Sequence, residues 1–382
     1  MTSWSTLKYS GYRGSFDYID QESTLNYAEC FKKFGNEIYK SNISPANCGN
    51  FLNSVELLRI LNFFNLSTSD SFILGTVFMW LTISTLCLTF FIIREQGKFQ
   101  YAIATAACVS PGVWLLLERG NYDELMFLLT VAAGFLLGSR QRTLGVLLLG
   151  FSVLLKFYTL PAFVFAAFLI QGKKTRSVFL LASVPLSLYS LKLISQVEDF
   201  PYILGASFGL KSCGLYLEVV IQYLTNSSFE IPSFMIPIPG LVLLIATTLI
   251  MRKYAVAPSL KNENAKKLQR FTHLYNLLLV VFLSCYFAGM NSDYRSVYLS
   301  FLVSISSVIF NLNRYSTLLV SSSLLALTLN IFPFGLHVIA VRAMQMTGDI
   351  FLTLYVATQI VYLLKITPIN NSKILRKIYQ YF

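Results

Sequence analysis

Long apolar runs separated by short polar breaks make up most of the chain after residue 70. Most of these runs approach the length of about 20 residues that crosses the hydrocarbon core of a bilayer. The pattern predicts about eleven transmembrane helices, at Ser71–Ile93, Gln100–Leu117, Glu124–Gly138, Thr143–Leu155, Tyr158–Gln171, Ser177–Ser195, Met235–Met251, Thr272–Met290, Ser296–Leu312, Ser316–Pro333 and Asp349–Leu364. The two short segments between residues 143 and 171 also fit one spanning and one re-entrant segment.

The first 70 residues are polar and aromatic, and they contain no early apolar run. Two segments, Gln21–Phe34 and Val55–Phe64, nevertheless carry apolar residues at helical spacing. These residues are Leu25, Ala28 and Phe31 in the first segment and Leu57, Leu58, Leu61 and Phe64 in the second. We therefore expect residues 1–70 to form a folded extramembrane region whose amphipathic helices lie on the membrane surface.

The composition supports an all-α polytopic integral membrane protein. Of 382 residues, 55% are hydrophobic and only 13% are charged, whereas a soluble domain has about 25% charged residues. The net charge of +12 does not indicate nucleic-acid binding, because the Lys and Arg residues lie in short connections between apolar runs.

The distribution of these basic residues predicts the topology. Eighteen of the 30 lie in alternate connections and in the C-terminal tail, at positions within 94–98, 140–142, 173–176, 252–270, 314 and 365–377. Only six lie in the opposite short connections, so the first set is cytoplasmic by the positive-inside rule. The helical domain then covers residues 71–365, with a basic cytoplasmic loop at 252–271 and a cytoplasmic tail at 366–382.

On the opposite side, the topology places residues 1–70 and a long loop at 196–234 outside the cytoplasm. An exported region of 70 residues needs a segment that carries it across. We expect either that this region crosses with the first helix or that a preceding helix is missing from the chain.

Three polar breaks fall on the same outer side: Glu118–Glu124, Lys156–Tyr158 and Asn291–Arg295. Ionisable groups near membrane depth often mark a site or a pathway, so we predict that the three breaks line one outward-facing site. Each break also has a structural explanation. Arg119 fits a local ion pair with Glu118, and Arg295 fits one with Asp293. The Lys156 ammonium fits either a phosphate contact or an extension of the side chain towards water.

The N-terminal region adds two pairs of candidate residues. Asp17 and Asp20 precede the first amphipathic segment, where a carboxylate serves as a helix cap or as a general base at the membrane surface. Cys30 and Cys48 lie in the region placed outside the cytoplasm, where a disulfide is expected. No cysteine pair has metal-ligand spacing, and no sequence motif indicates a cofactor.

The three breaks carry a resemblance. Glu118–Asp123 resembles the E-R-G-N-x-D segment of bacterial multi-spanning proteins related to glycosyltransferase family 87, the polyprenyl-phosphate-mannose-dependent mannosyltransferases and their uncharacterised kin. Leu154–Pro161 is similar to the L-K-x-Y-P stretch of that family, with the proline displaced, and Asn291–Arg295 is similar to its N-x-D-Y-R stretch. Order and spacing agree from about Asp20 to Leu302, but the helix that precedes the aspartate in the family is lacking.

The resemblance implies a GT-C architecture in the bacterial plasma membrane. The expected reaction transfers a mannose-like hexose or a pentose from a polyprenyl-phosphate donor to a glycan or lipid acceptor, with inversion, at the outer face. Asp20 is the first choice for the catalytic base, since the segment Gly35–Tyr39 fits the turn that follows the family's surface helix, and Asp17 is the second.

The remaining site residues follow from the same resemblance. The candidate cations for the donor phosphate are Lys156, Arg295 and Arg119, and the residues expected to position them or to bind the sugar are Asn121, Asp123, Tyr158, Asn291 and Asp293. The implied partners are membrane lipids, the lipid-linked sugar and the acceptor; no cofactor is implied. Two alternatives stay open: a transporter or flippase of a lipid-linked or anionic substrate, and a catalytically silent relative that scaffolds a cell-envelope complex.

Overall fold

The computed structural model describes residues 18–35, 54–94, 97–170, 172–195, 207–208, 210–226, 230–232, 235–253, 265–287, 291–310, 314–329 and 338–366. Helices make up most of these residues. They are α1 (Ile19–Phe34), α2 (Val55–Phe63), α3 (Ser71–Ile92), α4 (Lys98–Cys108), α5 (Pro111–Arg119), α6 (Asp123–Leu137), α7 (Arg142–Leu155), α8 (Leu160–Phe168), α9 (Lys173–Ser195), α10 (Leu210–Thr225), α11 (Pro237–Lys253), α12 (Ala265–Phe287), α13 (Val297–Ile309), α14 (Arg314–Leu329) and α15 (Val338–Ile366). Two strands, β1 (Ser207–Phe208) and β2 (Asn291–Ser292), pair antiparallel, with Ser207 opposite Ser292.

The two predicted amphipathic segments are helices α1 and α2, which pack against each other. Leu25 and Ala28 of α1 are fully buried, as are most of the predicted apolar residues of α2. The Ser54 hydroxyl caps α2 by accepting a hydrogen bond from the Leu57 amide, at 3.2 Å. Phe63 and Phe64, by contrast, are 83% and 65% exposed at the end of α2, so Phe64 does not share the burial of the other apolar residues of this segment.

Two helical stretches within the described ranges are long and apolar enough to cross a membrane: Thr68–Ile92, which contains α3, and Met344–Leu363 within α15. The bent pair of α4 and α5 adds a third if it counts as one span. Large apolar side chains of α3, including Phe72, Trp80 and Phe91, are exposed, as expected of a lipid-facing helix. The total of about eleven spans stays a prediction, since α6 and α7 have 15 and 14 residues, fewer than the about 20 that cross a bilayer.

Two predicted segments differ from the structure. Gln100–Leu117 is not one helix, because α4 ends at Cys108 and α5 starts again at Pro111 after a bend of 42°. A proline has no N–H to donate and therefore fits the first position of a new helix. The predicted long loop at 196–234 contains α10, in which Lys211 and Glu218 interrupt the apolar pattern but Tyr216 is buried.

Helix α12 lies at the centre of the bundle and packs against α6, α8 and α13. Gly134 of α6 permits a close approach, because a Cβ at this position would lie 3.0 Å from the Leu274 backbone in α12. Hydroxyl groups join α12 to α15 at three levels of the buried interface. The pairs are Tyr275 with Tyr355 at 3.4 Å, Tyr286 with Thr353 at 2.8 Å and Asn276 with Tyr362 at 3.2 Å.

Candidate functional site

The structure brings side chains from the three polar breaks and from the start of α1 into one hydrogen-bonded group. We call this group the Asp20–Asp123 cluster. Its members are Asp20, Arg119, Asn121, Asp123, Lys156, Tyr158 and Arg295. The two ends of the cluster are about 275 positions apart in sequence, so only the packing of the helices brings them together.

Asp123 is the centre of the buried half of the cluster. Its Oδ1 accepts hydrogen bonds from Lys156 Nζ and from the Tyr158 hydroxyl, both at 2.7 Å. Its Oδ2 accepts from Arg295 Nε at 2.9 Å, and the Arg295 guanidinium lies over the Tyr158 ring, 4.8 Å from the ring centroid. The Asp123 side chain is fully buried, so the two cations offset the cost of removing this carboxylate from water.

The charges of this half of the cluster depend on one another. Burial opposes ionisation of the Asp123 carboxyl, but the cations of Arg295 and Lys156 outweigh it and hold the pKa of Asp123 below its usual range. Burial lowers the pKa of the Lys156 ammonium, and the Asp123 carboxylate acts against that effect. Both residues lie in the polar breaks, outside the apolar runs. Of the two alternatives for Lys156, extension of the side chain towards water does not hold, since the side chain is only 8% exposed.

Asp20 is the centre of the more open half. Its Oδ1 accepts from both Nε and Nη2 of Arg119, at 3.0 and 2.5 Å, and its Oδ2 accepts from the Asn121 amide at 2.7 Å. The side-chain oxygen Oδ1 of Asn121 in turn accepts from Lys156 Nζ at 3.0 Å. Asn121 therefore connects the two carboxylates: its side-chain nitrogen donates to Asp20, and its side-chain oxygen shares Lys156 with Asp123.

The local sequence explains why these side chains point inward. Helix α5 ends at Arg119 because Gly120 adopts a left-handed conformation with φ of +58°. The side-chain oxygen Oδ1 of Asn121 then accepts from the backbone N–H of Asp123 at 2.9 Å, at the start of α6. Asp123 consequently lies at the amino end of α6, where the helix dipole also favours a negative charge.

Tyr18 and Gln21, which the sequence analysis did not name as site residues, hold α1 against this loop. The Tyr18 ring is buried between Gly75 and Gly120, and a Cβ at Gly120 would lie 2.7 Å from it. The Gln21 amide donates to the Tyr122 hydroxyl at 2.9 Å in a fully buried contact. Gln21 stands four residues before Leu25, so the two side chains share the buried face of α1. A polar residue on this apolar face was the feature of the sequence that could have identified Gln21.

Exposure separates the residues of the cluster that an incoming molecule reaches from those that it does not. The side chain of Arg119 is 41% exposed, that of Arg295 20% and that of Asp20 16%. Lys156 and Asp123 are 8% and 0% exposed. The buried pair therefore supports the site, whereas Asp20 and the two arginines face its open side.

A second buried carboxylate lies next to the cluster. Glu124 is fully buried on the face of α6 that packs against α3, and its Oε2 accepts from the Thr82 hydroxyl at 3.1 Å. Over the described residues, no three His, Cys, Asp or Glu side chains come together in an arrangement that suits a metal ion.

Several predicted residues cannot be placed. Asp17, Cys48 and most of the turn after Gly35 lie outside the described residues. Cys30 is disulfide-bonded, but its pairing with Cys48 stays a prediction. Asn291 and Asp293 begin β2 and the 3-10 turn before α13, respectively, and their side chains are not among those that the structure describes.

Comparison of the chain with known proteins gives no matching family model, no similar curated protein and no similar solved structure.

Proposed function

We propose that the protein is an inverting membrane glycosyltransferase that uses a polyprenyl-phosphate sugar as its donor. The observation that carries the proposal is the Asp20–Asp123 cluster, in which an accessible carboxylate lies beside accessible guanidinium groups at the edge of an apolar helical bundle. An amphiphilic donor with an anionic head and an apolar tail requires this combination. The apolar tail would lie along lipid-facing helices, and the head would lie at the cluster.

The proposed reaction has two bond changes. The acceptor hydroxyl oxygen forms a bond to the anomeric carbon while the bond from that carbon to the donor phosphate oxygen breaks. Asp20 accepts the proton of the hydroxyl, and the leaving polyprenyl phosphate carries the electron pair of the broken bond. Because the leaving group is already a stable anion, a separate acid is unnecessary, and nearby cations stabilise the developing charge. Inversion follows from a single displacement.

The assignment of cations changes with the geometry. Lys156 was a candidate for the phosphate contact, but its ammonium donates to Asp123 and Asn121 and is almost fully buried. Arg119 and Arg295 are more exposed and are the proposed phosphate contacts. Lys156 and Asp123 would hold Arg295 and Asn121 in place.

The test is a transfer assay with the purified protein and a set of radiolabelled polyprenyl-phosphate hexoses and pentoses, offered with a membrane lipid extract as acceptor. We expect one donor to lose its label to a lipid or glycan product and to release polyprenyl phosphate in equal amount. If every donor remains intact while the protein is folded and the extract contains the acceptors of the native membrane, the proposal is wrong.

A transporter or flippase is the second candidate, and one observation favours it. Helices α4 and α5 form a bent pair that is interrupted before Pro111, and α7 ends at Lys156 beside a buried ion pair. Broken helices around a charged site are typical of transporters. In proteoliposomes this candidate predicts movement of intact lipid-linked sugar across the bilayer, with no change in its glycosidic bond.

A further inference from the structure

The ion pair between Asp20 and Arg119 blocks the two groups that the proposed reaction needs. Both oxygens of Asp20 already accept hydrogen bonds, Oδ1 from Arg119 and Oδ2 from Asn121. Likewise, the Nε and Nη2 donors of Arg119 are directed at Asp20 rather than at an incoming anion.

Exposure identifies Arg119 as the cation at which an incoming anion can compete. Its side chain is 41% exposed, about twice the exposure of Arg295. Arg295 lies on the Tyr158 ring and donates to the fully buried Asp123. Displacing Asp123 from Arg295 would leave a buried carboxylate short of a cation, which is costly. Displacing Asp20 from Arg119 exposes a carboxylate to water and acceptor, which costs far less.

We propose that a phosphate group binds Arg119 in exchange for Asp20, so that arrival of the anionic ligand itself frees the Asp20 carboxylate. A guanidinium binds a phosphate through two parallel N–H donors as well as it binds a carboxylate. The exchange keeps the number of anions on Arg119 unchanged. The inference rests on the proposed function for the identity of the ligand, a phosphate on a polyprenyl chain.

The packing of α1 allows this exchange without unfolding. Tyr18 lies between Gly75 and Gly120, and Gln21 is bonded to Tyr122, on either side of Asp20. These contacts hold α1 in place when the Asp20 side chain changes partner. A rotation of that side chain is therefore enough to open the site.

The experiment measures binding of a sugar-free polyprenyl phosphate to the purified protein, with polyprenol and inorganic phosphate as separate arms. Removal of the competing carboxylate in Asp20→Asn is expected to tighten binding of polyprenyl phosphate by about three- to tenfold. Arg119→Gln is expected to weaken it by about ten- to a hundredfold. Binding of polyprenol is expected to be the same in all variants, and inorganic phosphate is expected to compete with polyprenyl phosphate.

A matched control separates loss of the ion pair from general loosening of α1. Gln21→Met keeps the volume of the side chain and removes the hydrogen bond to Tyr122, but leaves Asp20 and Arg119 unchanged. We expect no gain in affinity from this variant, and thermal unfolding checks that each variant is folded.

Four outcomes would overturn the inference. Asp20→Asn that binds polyprenyl phosphate no more tightly than wild type shows that Asp20 does not compete for Arg119. An equal gain in Gln21→Met shows that loosening of α1 is the cause. If the wild-type protein binds polyprenyl phosphate but Arg119→Gln binds equally well, the exchange is wrong while the proposed donor class stands; if the wild type does not bind at all, both fail.

Discussion

Asp123 is the residue on which the buried half of the site depends. It is fully buried and accepts from Lys156, Tyr158 and Arg295. Removal of the carboxylate in Asp123→Ala leaves the buried Lys156 ammonium without its main partner, and we expect a loss of about 3–5 kcal/mol in the free energy of unfolding. The measurement is chemical or thermal unfolding in detergent.

The control for this prediction is Glu22→Gln. Glu22 is an exposed acid on α1, and its neutralisation is expected to change stability by less than about 0.5 kcal/mol. If Asp123→Ala unfolds at the same temperature or denaturant concentration as the wild type, the assigned role of the carboxylate is wrong.

The same residue predicts a pH dependence. Because Arg295 and Lys156 hold the pKa of Asp123 below its unfolded value of about 3.9, the carboxylate contributes stability that is fully present above about pH 5. This contribution is lost as the pH falls towards the folded-state pKa. The difference in unfolding midpoint between wild type and Asp123→Asn is therefore expected to shrink from pH 6 to pH 3. A difference that is constant over this range would show that Asp123 is not the titrating group.

For individual residues, the sequence predicted which residues form the site better than it predicted what each of them does there. Asp123, Lys156 and Arg295 were expected together because alternate polar breaks face the same side of a membrane. The sequence could not show that Lys156 is buried under Asp123, because burial depends on how α7, α8 and α12 pack. The sequence suggested an ion pair of Arg119 with its neighbour Glu118. The contact of Arg119 with Asp20, 99 positions away, could not be predicted from local spacing.

At the scale of elements, the connection between α5 and α6 positions the site. Gly120 combines a positive φ with close contact to the Tyr18 ring. Gly120→Ala is expected to lose about 1 kcal/mol of stability from the strained backbone and a further 1–3 kcal/mol, approximately, from displacement of Tyr18. Because Tyr18 lies two residues before Asp20, we also expect most of the transfer activity to be lost.

Gly35 provides a comparison for this variant. Its φ of +57° is also positive, although its ψ of −139° differs from the 48° of Gly120, and among the described residues no atom beyond its chain neighbours lies within 4 Å of a Cβ built there. Gly35→Ala is therefore expected to lose stability through backbone strain alone and to keep its activity. An equal loss of transfer activity in the two variants would contradict a role for the contact between Tyr18 and Gly120.

Most helices were predictable because long apolar runs and amphipathic spacing fix where a helix forms. The segments for α3, α6, α7 and α8 agree with the structure within a few residues. The break before Pro111 and the helix α10 were missed for opposite reasons. The apolar run continues through the break before Pro111, so hydropathy predicted one helix there. Charged residues interrupt the apolar pattern of α10, so hydropathy predicted a loop.

At the scale of the whole molecule, the sidedness of the site follows from the basic connections and can be tested directly. Arg59 is exposed on α2 and Arg140 is exposed between α6 and α7, on sides predicted to be opposite. In a background with Cys87→Ser and Cys213→Ser, we expect Arg59→Cys to react with an impermeant maleimide in intact cells. Arg140→Cys is expected to react only after the membrane is opened. Labelling of both in intact cells would contradict the topology.

Asp20 is the proposed base of the sugar-transfer site, and single-turnover transfer from the lipid-linked donor measures its contribution to the chemical step. Wild type, Asp20→Asn and Glu22→Gln are compared at saturating donor and acceptor, so that differences in donor affinity do not enter. We predict that Asp20→Asn loses at least about a hundredfold in the transfer rate, while Glu22→Gln, which neutralises an exposed acid on the same helix, retains the wild-type rate. Transfer by Asp20→Asn at the wild-type rate would contradict the account.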